Sequence, residues 1–136
     1  GSGSVGLDAL SRGAARTTWV ELLPKHAAVL RANIALVKAE GRGEIVVADA
    51  YRWLEGAGKG RRFDIAYADP PYALGAEKGF AKALAALAAG DVVKAGGLFI
   101  AEMKSDQAPD EVAGWELVRD RRYGQTRLAV YRRKEA

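Results

Sequence analysis

Phe63-Asp64-Ile65-Ala66-Tyr67-Ala68-Asp69-Pro70-Pro71-Tyr72 is the stretch whose reading decides the fold. Its opening residues are mostly apolar and include strong strand formers, and they run straight into an aspartate and two prolines. Proline has no N–H to give to a sheet and disfavours the α conformation in the residue before it. The chain must therefore leave the sheet at Asp69, extended and stiff, with an aromatic ring close behind. In open α/β sheets the carboxyl end of a strand is where ligands bind.

The Asp69 carboxylate and the Pro70 carbonyl are two hydrogen-bond acceptors on a backbone with little freedom. They suit a planar amino group, which offers two N–H donors. The Tyr72 ring can stack on the flat base that carries such an amine. The same residues would also end a strand in a protein with no such function. Asp69-Pro70-Pro71-Tyr72 resembles the [D/N]-P-P-[Y/F/W] motif of methyltransferases that modify exocyclic amines of adenine or guanine with S-adenosylmethionine. The resemblance makes Asp69, Pro70, Pro71 and Tyr72 the catalytic residues, with Asp69 also near the cofactor.

Composition narrows the chemistry. A chain of 136 residues, 49% hydrophobic and 28% charged, fits one globular domain with a single core, spanning residues 1–136. It has no cysteine, which excludes disulfides and thiolate metal sites, and one histidine, His26, which argues against a histidine metal site or a Ser–His–Asp relay. His26 falls in a helical stretch and reads as a surface residue. No metal is expected. No apolar run approaches the roughly 20 residues of a membrane span, and no secretory signal is visible. A cytoplasmic protein, monomeric and without a membrane partner, is expected. The net charge of +4 is compatible with a polyanionic partner.

Upstream, the chain opens Gly1-Ser2-Gly3-Ser4-Val5-Gly6 without an initiator Met. Glycines there let a backbone approach a ligand closely, and the helix expected from Val5 to Leu10, stopped by Gly13, offers unpaired N–H groups. Thr17 to Leu22 reads as a strand ending in Glu21. An acidic residue about 20 residues past a glycine loop is the spacing at which doubly wound nucleotide binders hold ribose hydroxyls. Pro24 suits the first turn of a helix, and Ala27, Ala28, Leu30, Ile34, Leu36 and Val37 follow at approximately helical spacing, broken at Gly41-Arg42-Gly43. Glu44 to Ala50 reads as a third, buried strand that ends in Asp49. Asp49 also suits the N-cap of a short helix over Tyr51–Glu55.

Downstream, Phe80 to Ala89 is alanine-rich and helix-forming, with Leu84 and Leu87 facing the sheet. Gly96-Gly97 precede a strand from Leu98 to Lys104, and Ser105 to Gly114 is a loop. Trp115 to Arg122 and Thr126 to Arg133 alternate and form a hairpin through Tyr123-Gly124-Gln125. That hairpin concentrates Arg119, Arg121, Arg122, Arg127, Arg132 and Arg133, either as the solvated face of an edge strand or as a phosphate-binding surface.

Alternating β and α units imply a mostly parallel three-layer sheet. With the final hairpin, this is similar to the Rossmann-like sandwich of class I S-adenosylmethionine-dependent methyltransferases. Within them the chain most resembles the bacterial 16S ribosomal RNA guanine-N2 methyltransferases, through Gly3-Ser4-Val5-Gly6-Leu7-Asp8-Ala9-Leu10-Ser11-Arg12-Gly13 and Arg122-Tyr123-Gly124-Gln125-Thr126. The resemblance implies S-adenosylmethionine as cofactor, held by Gly1, Ser2, Gly3, Glu21, Leu22, Asp49 and Ala50, with Asp49 taking the adenine amine. It implies ribosomal RNA or the small ribosomal subunit as partner and transfer to the N2 amine of a guanine. The family has an upstream segment that includes the first, central strand, so the domain is expected to be N-terminally truncated, or the gap filled by another segment. Two other functions are compatible with the motif: a DNA adenine-N6 methyltransferase, and a non-catalytic remnant that binds only cofactor or RNA.

Overall fold

The structure, a computed structural model, describes residues 4–68 and 80–135. The chain divides into two compact units, residues 1–56 and 57–136. In the first, α1 (Ser4–Ser11), β1 (Thr17–Glu21), α2 (Pro24–Leu36), β2 (Gly43–Val47) and α3 (Ala50–Glu55) follow in order. Strands β1 and β2 pair in parallel, with Thr17 opposite Gly43 and Glu21 opposite Val47.

Each turn of this unit has a local cause. Gly13, at φ 109°, ends α1: the Ala14 N–H donates to the Ala9 carbonyl at 3.0 Å and the Gly13 N–H to that of Leu10 at 3.3 Å. This pair of bonds is a Schellman closure. Helix α2 starts with Pro24 in its first turn, as expected, but stops at Leu36, before the glycines. The same closure recurs there around Lys38, at φ 58°, with Ala39 bonded to Ile34 and Lys38 to Ala35, each at 3.1 Å. Of the apolar residues read at helical spacing, Ala27, Leu30 and Ile34 are buried, whereas Ala28, Leu36 and Val37 are exposed, Leu36 at 79%.

Leu10, Leu30, Ile34 and Ala39 form the buried cluster of the unit, with Leu7, Ala14, Trp19 and Ile45 packed against it. The Trp19 ring sets the sequence beneath it. A β-carbon at Gly6 would lie 2.6 Å from that ring, and one at Gly43 would lie 2.8 Å from it. Strand β2 ends at Val47, short of Ala50, because Asp49 leaves it to cap α3, and it is half-buried rather than buried.

The second unit holds β3 (Phe63–Ala68), α4 (Ala81–Ala88), β4 (Val93–Lys104), β5 (Trp115–Tyr123) and β6 (Thr126–Arg133). Their sheet has the order β3-β4-β6-β5, with β3 parallel to β4 and the other pairs antiparallel. The hairpin thus adds two strands, and its second arm, β6, is the one that lies against β4. Strand β4 begins earlier than Leu98 and runs through Gly96-Gly97. There its pairing jumps from Phe63↔Val93 to Ile65↔Leu98. Gly96, at φ 81°, makes the bulge, and a β-carbon at Gly97 would lie 2.8 Å from the Asp64 carbonyl oxygen.

Phe99 centres the core of this unit, edge-on to Phe80 at 5.8 Å and to Trp115 at 6.4 Å, with Tyr131 at 6.3 Å. Leu84 and Leu87 of α4 are buried, and the Trp115 indole N–H donates to the Leu84 carbonyl at 2.9 Å. Burying such rings contributes about 1.5–3 kcal/mol each. Among the described residues β1 has one strand neighbour, β2, and β3 has one, β4. Each sheet is open at both sides among the described residues. The helices, the parallel pairs and the antiparallel hairpin are those expected of the fold.

Candidate functional site

In the first unit the functional residues gather where β1 and β2 end. Glu21 is the last residue of β1, and its carbonyl accepts from the Ala48 N–H at 3.0 Å, which ties the exits of the two strands together. Pro24 then starts α2 at once, so the chain folds back over the glutamate. Glu21 Oε1 accepts from the Leu23 N–H at 3.2 Å and lies 3.3 Å from His26 Nδ1. Burial pushes the Glu21 carboxyl up. The Leu23 hydrogen bond, then positive charge nearby, and last the His26 hydrogen bond outweigh it and hold the carboxyl below its ordinary value. At neutral pH it is a fixed carboxylate, suited to receive hydroxyl groups. Leu22 beside it is 58% exposed and offers an apolar surface.

Asp49 lies just past β2 in extended conformation, at φ −69° and ψ 129°, and its Oδ1 accepts from the Arg52 N–H at 3.1 Å. The capping role expected of it is therefore real. Asp49 and Ala50 are both exposed. The next side chain, Tyr51, stays a phenol, because burial and the Asp49 charge raise its pKa. Adjacent strands lie about 4.8 Å apart, so Glu21, Leu22, Asp49 and Ala50 stand along one edge of one small sheet. A carboxylate held ionised, an exposed aliphatic surface and a second exposed carboxylate fit a nucleoside with hydroxyls, a flat base and an exocyclic amine.

In the second unit β3 ends at Ala68, and the Tyr67 hydroxyl donates to Glu102 Oε1 at 2.7 Å, fixing that end of β3 to β4. Asp69, Pro70, Pro71 and Tyr72, which follow it in the chain, lie outside the described residues, as do Gly1, Ser2 and Gly3. Two contacts escaped the sequence reading. His26 is a partner of Glu21 rather than a plain surface residue, and its signal was the short step from Glu21 through Pro24 into a helix. The Tyr67–Glu102 contact joins residues far apart in the chain and leaves no local signal. Among the described residues no cluster of histidine, aspartate and glutamate could hold a metal ion, and no helix is long and apolar enough to cross a membrane.

A protein of Escherichia coli (strain K12), Ribosomal RNA small subunit methyltransferase D, is 31% identical over 134 residues, which are 98% of this chain and 65% of that protein. Its counterpart of the same name in Haemophilus influenzae is 26% identical over 132 residues, 96% of this chain and 67% of that protein. The chain thus spans about two thirds of the length of these relatives. A solved structure from Escherichia coli, described as a candidate methyltransferase, superposes with a TM-score of 0.82 at 30% identity, over 100% of this chain and 72% of that one. The model of the family described as Conserved hypothetical protein 95 matches residues 1–132, and the chain belongs to that family.

Proposed function

We propose that this chain carries the catalytic domain of an enzyme that transfers a methyl group from S-adenosylmethionine to the exocyclic N2 amine of a guanine in small-subunit ribosomal RNA. The observation that carries this reading is the placement of acidic residues at strand exits: Glu21 as the last residue of β1, Asp49 two residues past β2, and Asp69 as the residue that follows β3 in sequence. The names of the relatives, with ribosomal RNA as their substrate, support RNA over DNA.

When bound, the cofactor supplies an electrophilic methyl group on a positively charged sulfur. Glu21 would hold its ribose hydroxyls and Asp49 its adenine amine with Ala50 beside it, and Leu22, Gly1, Ser2 and Gly3 would complete the cofactor's contacts. Asp69 and the Pro70 carbonyl accept the two hydrogens of the guanine amine. That nitrogen is a poor nucleophile, because its lone pair is delocalised into the ring. Two acceptors on a stiff backbone favour a more tetrahedral nitrogen, aimed at the methyl carbon, while Tyr72 stacks on the base and Pro71 keeps the turn rigid. Transfer of the methyl group to that nitrogen would leave an extra proton on it, which Asp69 or water would take up. Orientation and fixed charge supply the rate. A target in an unpaired loop needs no base pair broken. Such an enzyme works in the cytoplasm, where small subunits are assembled, and needs neither a metal nor a second copy of itself.

Incubation with labelled S-adenosylmethionine and unmethylated small subunits, 16S RNA or DNA, followed by digestion to nucleosides, tests this. Label in N2-methylguanosine is the expected result. Label in N6-methyladenine of DNA, or none in any nucleic acid, contradicts it.

A further inference from the structure

The β5–β6 hairpin ties two of its arginines into the fold and leaves three others without a hydrogen-bond or ion-pair partner among the described residues, while Arg122 carries its charge near Asp120. Arg127 is held by Asp120, Nε to Oδ1 at 2.7 Å and Nη2 to Oδ2 at 2.6 Å, and its Nη1 donates to the Gln107 carbonyl. Arg133 is held by Asp91 and the Val93 carbonyl. These two serve the fold. Arg119, Arg121 and Arg132 are exposed and make no hydrogen bond or ion pair among the described residues.

Arg119, Arg121 and Arg132 share one face of the sheet, and a bulge puts the first two there, while Arg122, also exposed, lies on the other face. Pairing steps from Leu117↔Tyr131 to Arg119↔Val130, so one extra residue sits on β5. Cross-strand partners point to the same face. Before the bulge, Trp115 and Leu117 face the core side with Arg133 and Tyr131. After it, Asp120 and Arg122 take that side, opposite Ala129 and Arg127. Arg119, Arg121 and Tyr123 are thereby turned to the other side, which Arg132 shares. An uninterrupted strand would have sent Arg119 and Arg121 to the core side instead.

Along β5 these residues recur every second position, about 6.6 Å apart, and end in Tyr123, which is 60% exposed. Tyr123 and Thr126 close the hairpin beside Lys104, at the same end of the sheet as the exit of β3. With the strand order β3-β4-β6-β5, the Tyr123 position lies about 14 Å across the sheet from that exit. Charge spaced along a strand and leading to an exposed ring is the pattern that binds an unpaired nucleic-acid strand, with phosphates on the cations and a base on the aromatic platform. Glu116, opposite Arg132, is the acidic residue of this face on the hairpin and sits at the end away from Tyr123.

We infer that this face of the hairpin is the docking surface for unpaired RNA beside the target base, with Arg119, Arg121 and Arg132 on phosphates and Tyr123 stacked on a base. The inference rests on the reading of the substrate as RNA. It adds where that RNA lies: along β5, toward the end of the sheet from which Asp69 follows.

Fluorescence anisotropy of a short unstructured oligoribonucleotide, titrated with the full chain at salt between about 50 and 200 mM, tests it without cofactor or transfer. Each lost contact to a single strand removes about 0.7 from the slope of log affinity against log salt. R119Q/R121Q/R132Q is therefore expected to lower the slope by about 2 and to weaken binding roughly tenfold or more. Tyr123→Ala should weaken binding roughly tenfold with the slope unchanged, and Tyr123→Phe should restore it. K25Q/R31Q/K38Q, which removes as much charge from the first unit, should leave the slope near that of the parent. The inference is overturned if the hairpin variant binds as the parent does, if the control loses as much, or if the parent binds no RNA or prefers a duplex. Failure of the methyltransferase reading would show separately, as no transfer by the parent whatever its affinity for RNA.

Discussion

His26 Nδ1 lies 3.3 Å from Glu21 Oε1, so the one histidine of the chain is placed on the carboxylate assigned to the cofactor's ribose. That carboxyl is held below its ordinary value of 4.5, against burial, by the Leu23 N–H first, then by positive charge nearby, and least by His26. A carboxyl that binds its proton less readily in the folded state adds stability that is full above about pH 4.5 and is lost as pH falls through the folded value. Carboxyl NMR should find Glu21 titrating below 4.5, and His26→Ala should move it up. A Glu21 midpoint unchanged in His26→Ala would show that the histidine does not act on it.

Asp69 is assigned to the substrate amine. Asp69→Ala should reduce methyl transfer by a factor on the order of 10³, while cofactor affinity stays within a few-fold. Rapid-quench transfer assays beside cofactor titrations would separate the two. A large loss of affinity would assign Asp69 to the cofactor instead.

Lys38 closes α2 in the left-handed region at φ 58°, where a β-carbon is strained. Lys38→Gly should stabilise the protein by about 0.5–1 kcal/mol, the relief being partly offset by the freer unfolded chain. Urea unfolding would read this as a higher midpoint, and a lower one would mean that the lysine side chain contributes more than its backbone costs.

Tyr131 is 1% exposed, and its hydroxyl donates to the Asp110 carbonyl at 2.8 Å. Burial and the charges of Asp110 and Asp120 push its pKa up to about 12. Its contribution is therefore full below about pH 10, the unfolded value, and is lost as pH rises toward 12. Ultraviolet titration should show a late-ionising phenol that Tyr131→Phe removes. Ionisation of every tyrosine near pH 10 would contradict the packing described.

Much of this fold was legible because its signals are local. Pro24 announces α2, Asp49 its cap of α3, Gly13 the end of α1, and the alternation around Tyr123-Gly124-Gln125 the hairpin. The errors arose where distant residues decide. Nothing near Gly96-Gly97 says that a strand continues through a bulge, since Asp64 on β3 sets it. Leu36 fits the helical spacing, yet the Schellman closure at Lys38 ends α2 and leaves that leucine in solvent. For the site, strand exits could be read from the acidic residues that end apolar runs. His26 and the Tyr67–Glu102 contact could not, because contact across a fold is not a pattern along a chain.

Calorimetric titration of S-adenosylmethionine tests the central claim most directly, on this chain and on one extended to the full length of its relatives. Saturable binding, at least by the extended chain, is predicted. Glu21→Ala should weaken it by about 1–2 kcal/mol, the size of a lost hydrogen bond to a charged group, and Asp69→Ala should leave it nearly unchanged. Absence of binding by either length of chain would contradict the account and leave Asp69-Pro70-Pro71-Tyr72 as no more than the end of a strand.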